Sequence, residues 1–342
     1  MIQVAFPGLG ISEFSLNPVL VNIPIFGGLQ IRWYALCITL GIVIAFSYAV
    51  YRAKQVGISL DTMLDYAIFT VFFGVVGARL YYILFNHSSI HSFYDAIAIW
   101  NGGIAIYGAL IGGGLTVFVI CLIKKISFFK IADTAAPGVM IAQALGRWGN
   151  FFNGEAFGEQ IAEGSPLYFI RMGLISSNTI SDFNTSRMVF VHPTFLYECL
   201  WNVLGFVLIN IFYKKKKFDG QIFFTYIAWY GFGRMFIESL RTDSLYVFSV
   251  IRISQVVGFV CFVIGVTAIV IGLISARRKA LTALDYDPAF PKFETTASKA
   301  AGIVSDDEAT TDVEDNDIEQ TSQETDTDTD PESTQEGEND NG

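Results

Sequence analysis

Long apolar runs alternate along this chain with short polar connections. Seven runs reach the length that matters, at 31–51, 64–85, 102–123, 131–152, 193–213, 221–240 and 252–275. A helix rising about 1.5 Å per residue needs about 20 residues to cross roughly 30 Å of hydrocarbon. No alternating barrel pattern appears, and open sheet edges cannot sit in lipid. The pattern therefore predicts an all-α polytopic membrane protein with seven transmembrane helices.

Basic residues orient these runs. Arg52 and Lys54 follow the first; Lys124, Lys125 and Lys130 lie between the third and fourth; Lys214 to Lys217 follow the fifth; Arg277, Arg278 and Lys279 follow the seventh. The other connections are poor in such residues: 86–101 has no Lys or Arg, and 153–192 has only Arg171 and Arg187. Basic residues accumulate on the cytoplasmic side, so the N-terminus is expected outside and the C-terminus in the cytoplasm. No basic start followed by a compact apolar stretch and cleavage site is evident before residue 28, so the first spanning helix is expected to act as an uncleaved signal. The chain then divides into a seven-helix membrane domain over 1–280, with an outer loop at 153–192, and an acidic tail over 281–342. A polar connection as long as 153–192 is expected to fold over a site or to move as a lid.

Composition agrees with a membrane protein, since 52% of residues are hydrophobic and 15% aromatic. The net charge of -10 misleads. Residues 300–342 hold 16 Asp or Glu and no Lys or Arg, so the first 299 carry 22 basic and 16 acidic groups, a net of +6. The tail is expected to be disordered, solvated and cytoplasmic. Cys37, Cys121, Cys199 and Cys261 fall in four separate apolar runs, without pairing or metal-ligand spacing, and are expected to pack as small buried residues. No metal site, cofactor or nucleic-acid partner is expected.

With orientation fixed, sequence position becomes depth. Run four ends in Gly146-Arg147-Trp148-Gly149-Asn150-Phe151-Phe152-Asn153-Gly154-Glu155-Ala156-Phe157-Gly158. Arg147 lies about 8 Å below the outer boundary, and Arg234 about 9 Å below the exit of run six. Arg79, Tyr107, Tyr34, Asn150, Tyr230 and Glu238 fall in the same outer third. Ionisable groups at such depth are costly and mark interior sites or substrate paths. Arg147 and Asn150 share a face at i, i+3; Tyr230, Arg234 and Glu238 repeat every four residues, and Arg241 follows three beyond Glu238. Guanidiniums from separate helices at one depth point to a pocket for an anion from the outer leaflet, because a planar guanidinium grips phosphate through two parallel hydrogen bonds. An intrahelical ion pair between Arg234 and Glu238 is the plainer alternative, as is a snorkelling Arg147.

Other polar or special positions read more simply. Gly74, Gly77, Gly108 and Gly112 to Gly114 permit close helix contact, whereas Gly102-Gly103 at the mouth of run three is a possible path lining. Pro137 is expected to kink run four, and Asp133 to complement that helix's dipole. His87 and His91 are expected in solvent. His192-Pro193 initiates run five, followed by Tyr197-Glu198.

The string from Gly146 to Gly158 resembles the signature of the bacterial prolipoprotein diacylglyceryl transferase family. Arg32-Trp33-Tyr34, Gly77-Ala78-Arg79, Gly102-Gly103, His192-Pro193 with Tyr197-Glu198, and Tyr230-x-x-x-Arg234-x-x-x-Glu238 resemble further family landmarks, in order, over roughly residues 20–275. The resemblance implies transfer of the sn-1,2-diacylglyceryl group of phosphatidylglycerol to the lipobox cysteine of preprolipoproteins, without a metal. It implies a multi-pass protein of the bacterial plasma membrane, with its active site toward the outer leaflet. Arg147 would bind the headgroup phosphate, with Asn150 and Glu155 orienting it; Arg234 would stabilise the leaving phosphate, supported by Tyr230 and Glu238. Tyr34 and Arg79 would complete substrate binding. Tyr107 stands where some members carry a histidine proposed as base, so the base is Tyr107, another group, or no dedicated residue.

The rival reading is an anion or phospholipid transporter. Transporters are expected to show repeated halves and helices broken at mid-membrane. This chain shows no internal repeat, and its polar residues gather in the outer third.

Overall fold

The computed structural model describes residues 1–24, 29–86, 92–99, 102–242, 246–247 and 251–285. The expectations for His87 and His91, and for the tail beyond residue 285, lie outside the described residues.

Each apolar run forms a helix. The long helices are α1 (Trp33–Gln55), α2 (Leu60–Phe85), α4 (Ile106–Lys124), α5 (Phe128–Asn153), α7 (Thr194–Phe212), α8 (Gln221–Ile237) and α9 (Ile253–Asp285), and two short ones are α3 (Phe93–Ile97) and α6 (Ser177–Phe183). Five of them, α1, α2, α4, α7 and α9, are long and apolar enough to cross a membrane. The chain is thus a mostly helical, polytopic membrane protein. The remaining two differ for visible reasons. The 26-residue α5 carries Lys130, Asp133, Gln143, Arg147 and Asn150 along its length, and α8 is only 17 residues long.

The helices pack as α1 on α5, α2 on α4, α5 on α7 and α8, and α8 on α9. Small residues set these contacts: a Cβ on Gly77 would lie 2.5 Å from the Gly108 carbonyl oxygen, and one on Gly112 would lie 2.6 Å from that of Phe73. Close backbone approach of this kind is how helices associate where lipid is as apolar as the side chains. Gly114, by contrast, faces open space. Helix α5 runs unbroken through Pro137. Asp133 is fully buried, and it caps a different helix from its own. Its carboxylate accepts the Gly220 and Phe223 N–H groups at 2.9 Å each, at the start of α8, and pairs with Lys216 at 3.1 Å.

The fold is not all-α. Strands β1 (Ile2–Phe6), β2 (Ile11–Leu16), β5 (Met172–Ile175) and β6 (Val189–Val191) form an antiparallel sheet in the order β2-β1-β5-β6. Strands β3 (Val19–Ile23) and β4 (Leu29–Arg32) pair as a hairpin leading into α1, and β7 (Tyr246–Val247) pairs with β8 (Ile251–Arg252) before α9. The larger sheet joins the N-terminus to the segment between α5 and α7, pairing Val4 with Leu174. A membrane-span pattern carries no signal for such short strands. One pairing, β1 with β5, joins residues some 170 positions apart, as Val4 with Leu174. Ile2, Val4 and Phe6 of β1 pack with Phe151, Phe157, Leu174, Val191 and Phe195 in one buried cluster. The sheet is thereby fastened to the end of α5 and the start of α7.

Candidate functional site

The functional residues begin where α5 ends. Gly154, at φ +60°, closes that helix in the left-handed conformation, donating to the carbonyls of Asn150 and Phe151. The chain then turns back along α7. Gly158 donates to the His192 carbonyl at 2.9 Å and Glu159 to the Leu240 carbonyl at 2.7 Å, so 158–159 is held between the start of α7 and the end of α8. A Cβ on Gly158 would meet both His192 Cβ and the Leu240 oxygen at 2.7 Å. The glycines of the signature thus clamp three helix ends together.

Between those ends lies a cluster of guanidiniums and carboxylates. Glu198 of α7 is its hub. Its carboxylate pairs with Arg147 of α5 at 2.7 Å, with Arg234 of α8 at 3.4 Å, and with Arg241 at 3.5 Å. Arg234 also pairs with Glu238 at 2.6 Å, one turn along. Arg147 donates to Asn150 at 3.2 Å, and the Asn150 amide donates to Glu155 at 3.0 Å, where Asn153 also donates at 3.2 Å. Tyr230 lies within electrostatic range of Arg147, Arg234 and Glu198. Tyr34 packs its ring against Gly149, where a Cβ would lie 2.8 Å from the ring. Arg147, Asn150, Glu155, Tyr34, Arg234, Tyr230 and Glu238, expected from sequence to share a site, are brought together here.

Glu198 was not among the sequence-predicted site residues. It stands inside an apolar run, five residues after Pro193, where an acidic residue also suits a helix start. The usable signal was its cost: a carboxylate inside a span needs a cation opposite. Gln143, one turn before Arg147, and Tyr226, one turn before Tyr230, also went unnoticed; the Gln143 amide donates to the Tyr226 hydroxyl at 3.0 Å.

Arg79 and Tyr107 belong to another helix pair, α2 and α4. Arg79 donates Nε to the Ala96 carbonyl at 3.0 Å and Nη1 to the Gly102 carbonyl at 2.7 Å, and bonds the carbonyls of Asp95 and Gly103 as well. Gly102 and Gly103 have φ of +87° and +74°, and a Cβ on Gly103 would sit 2.6 Å from Arg79 Nη1. These glycines fold the chain around a guanidinium; that is their local role. Tyr107 is 44% exposed, with its ring 6.3 Å from that of Tyr81. Among the described residues, no hydrogen bond or ion pair joins Arg79 or Tyr107 to the Glu198 cluster.

Beside the start of α7, His192 Nδ1 lies 3.2 Å from the Tyr197 hydroxyl, and burial holds its imidazole below the usual value. No group of three or more His, Cys, Asp or Glu able to hold a metal occurs among the described residues. The four cysteines are unpaired.

Residues 18–271 match the family described as prolipoprotein diacylglyceryl transferase. This chain belongs to that family. It is 39% identical over 269 residues to phosphatidylglycerol–prolipoprotein diacylglyceryl transferase 1 of Clostridium perfringens (strain 13 / Type A), covering 77% of this chain and 97% of the relative. It is 43% identical over 259 residues to the phosphatidylglycerol–prolipoprotein diacylglyceryl transferase of Streptococcus pyogenes serotype M5 (strain Manfredo), covering 75% and 95% respectively. As a family member, the chain places its signature at the end of α5 and its second arginine on α8, both on Glu198.

Proposed function

We propose that this protein transfers the sn-1,2-diacylglyceryl group of phosphatidylglycerol to the lipobox cysteine thiol of preprolipoproteins, the first step of lipoprotein maturation. One observation carries the reading beyond family membership. Three arginines from two helices and the turn after α8 converge on one carboxylate at the end of an apolar bundle.

In the reaction, the thiolate sulfur attacks the glycerol carbon that bears the phosphate. A C–S bond forms as the C–O bond breaks, glycerol phosphate leaves with the electron pair, and the thiol proton passes to a base. The incoming phosphate competes with Glu198 for the guanidiniums, exchanging one anion for another. Arg147 anchors it, and Arg234 stabilises charge that grows on the departing oxygen. Asn150 and Glu155 hold Arg147 in place; Glu238 and Tyr230 do the same for Arg234. Tyr107 is assigned to the thiol side, approached from α4.

In this reading α5 and α8 also cross the bilayer, giving seven spans. The N-terminus and its sheet lie outside, the C-terminus and acidic tail lie in the cytoplasm of a bacterial cell, and the site opens to the outer leaflet. The distribution of Lys and Arg supports this, as does the length of α5, about 39 Å. Arg79 serves as the anchor of the chain entering α4.

Purified protein mixed with phosphatidylglycerol and a lipobox peptide should add one diacylglyceryl mass to the peptide, and none to its Cys→Ser version. Absence of transfer, together with protein-dependent movement of the lipid between vesicle leaflets, would favour a transporter instead.

A further inference from the structure

One turn before Arg147 on α5, and two turns before Arg234 on α8, lies a polar pair that the proposed chemistry leaves unused. Gln143 donates its amide to the Tyr226 hydroxyl at 3.0 Å, and the other end of that amide, Oε1, is buried without a hydrogen-bond partner. A buried polar atom without a partner is costly, and such an atom in a settled structure calls for a reason. The pair continues the site's two polar columns. Gln143 and Arg147 are i, i+4 on α5, while Tyr226, Tyr230 and Arg234 follow every four residues on α8, the two tyrosine rings 6.2 Å apart.

The two ends of an amide exchange by a flip. As it stands, the Tyr226 O–H is left to donate. With the amide turned, Oε1 accepts from Tyr226 and the amide N–H groups occupy the unsatisfied place. As the amide stands, the unsatisfied Oε1 is an acceptor; the turned arrangement is the one that presents N–H groups at that place to an acceptor from outside the protein.

Depth identifies that acceptor. Gln143 lies four residues, or about 6 Å, further into the bilayer than Arg147. In a phospholipid, the glycerol backbone separates the phosphate from the acyl ester carbonyls by a similar distance. Those carbonyls are acceptors only. The headgroup hydroxyls, which donate, lie on the opposite side of the phosphate. We propose that Gln143 and Tyr226 form an ester-carbonyl site that holds the acyl ester of the diacylglyceryl group and selects diester over diether lipids. This rests on the function proposed above. The pair acts by binding: with phosphate and ester both held, the lipid is anchored on either side of the glycerol carbon, equally before and during reaction.

The test compares phosphatidylglycerol with its dialkyl ether analogue of equal chain length, using a lipobox peptide as acceptor. One neutral hydrogen bond corresponds to a preference of about fivefold in kcat/KM. Wild type should favour the diester by that factor. Gln143→Leu should bring the ratio near one by raising KM for the diester, with kcat within about twofold, as expected for a contact made equally before and during reaction. Tyr226→Phe, which retains the ring, should lower the ratio as well, and it decides the matter if Gln143→Leu does not fold. A wild type indifferent to the ester, or both variants with an unchanged ratio, overturns the ester site while leaving the transferase reading intact. A wild type that transfers neither lipid overturns both.

Discussion

Two arginine sites, expected from the sequence at one depth, differ in what holds them. Arg79 is held by backbone carbonyls of residues 95, 96, 102 and 103, which stay in place while the fold stays in place. Arg147 and Arg234 are held by carboxylates: Arg147 by Glu198, and Arg234 by Glu238 at close range and by Glu198 more loosely. A carbonyl cage uses a guanidinium to fix the chain; a carboxylate partner can be exchanged for another anion. Depth and residue type therefore do not assign a role. The chemistry of the partner does.

Removing the hub should break this contrast most severely. Glu198→Ala leaves Arg147, Arg234 and Arg241 facing one another without their shared counter-charge. Transfer should fall at least about 100-fold, with a loss of about 3–5 kcal/mol of stability, because breaking a buried pair leaves uncompensated charge. Transfer kinetics and thermal unfolding read the two effects. Near-wild-type rates in that variant would mean that Glu198 does not organise the site.

A milder change probes the carbonyl cage. Gly103→Ala places a Cβ at positive φ and against Arg79, which should cost about 1–3 kcal/mol. Its transfer rate per folded molecule should stay close to wild type. A selective loss of activity at unchanged stability would move the cage into the reacting site.

The smallest effect concerns pH. Burial holds the His192 imidazole below its usual value in the folded protein, so as pH falls the unfolded chain takes up that proton first, below about 6.5. Its contribution to stability is therefore complete above that value and shrinks as pH falls through it. His192→Gln should flatten the thermal midpoint between about pH 7 and 5, relative to wild type. An unchanged slope would assign the acid sensitivity to other groups.

The helices were legible in the sequence because each carries its own apolar signal, independent of partners. The central pairing of the larger sheet was not, since Val4 and Leu174 stand some 170 positions apart and no pattern within either segment reports the other. Within the site, Arg147 with Asn150, and Arg234 with Glu238, were legible as helical neighbours. Glu198 was hidden because its partners are on other elements, and periodicity within one helix cannot report them. Asp133 shows the same limit: it was read as serving its own helix dipole, yet it caps α8 some 87 positions away. Arg79 was grouped with the other arginines by its expected depth, because sequence position gives an expected height in the bilayer but not which helices are adjacent.

The most direct test sets Arg147→Ala beside Arg79→Ala, with transfer rate per folded molecule and thermal stability measured on both. The two-role account predicts that Arg147→Ala loses about 100-fold or more in kcat/KM while remaining folded, and that Arg79→Ala loses stability while its folded fraction keeps transferring. Equal loss of transfer in both, at equal folded fractions, would contradict it and return Arg79 to the phosphate site.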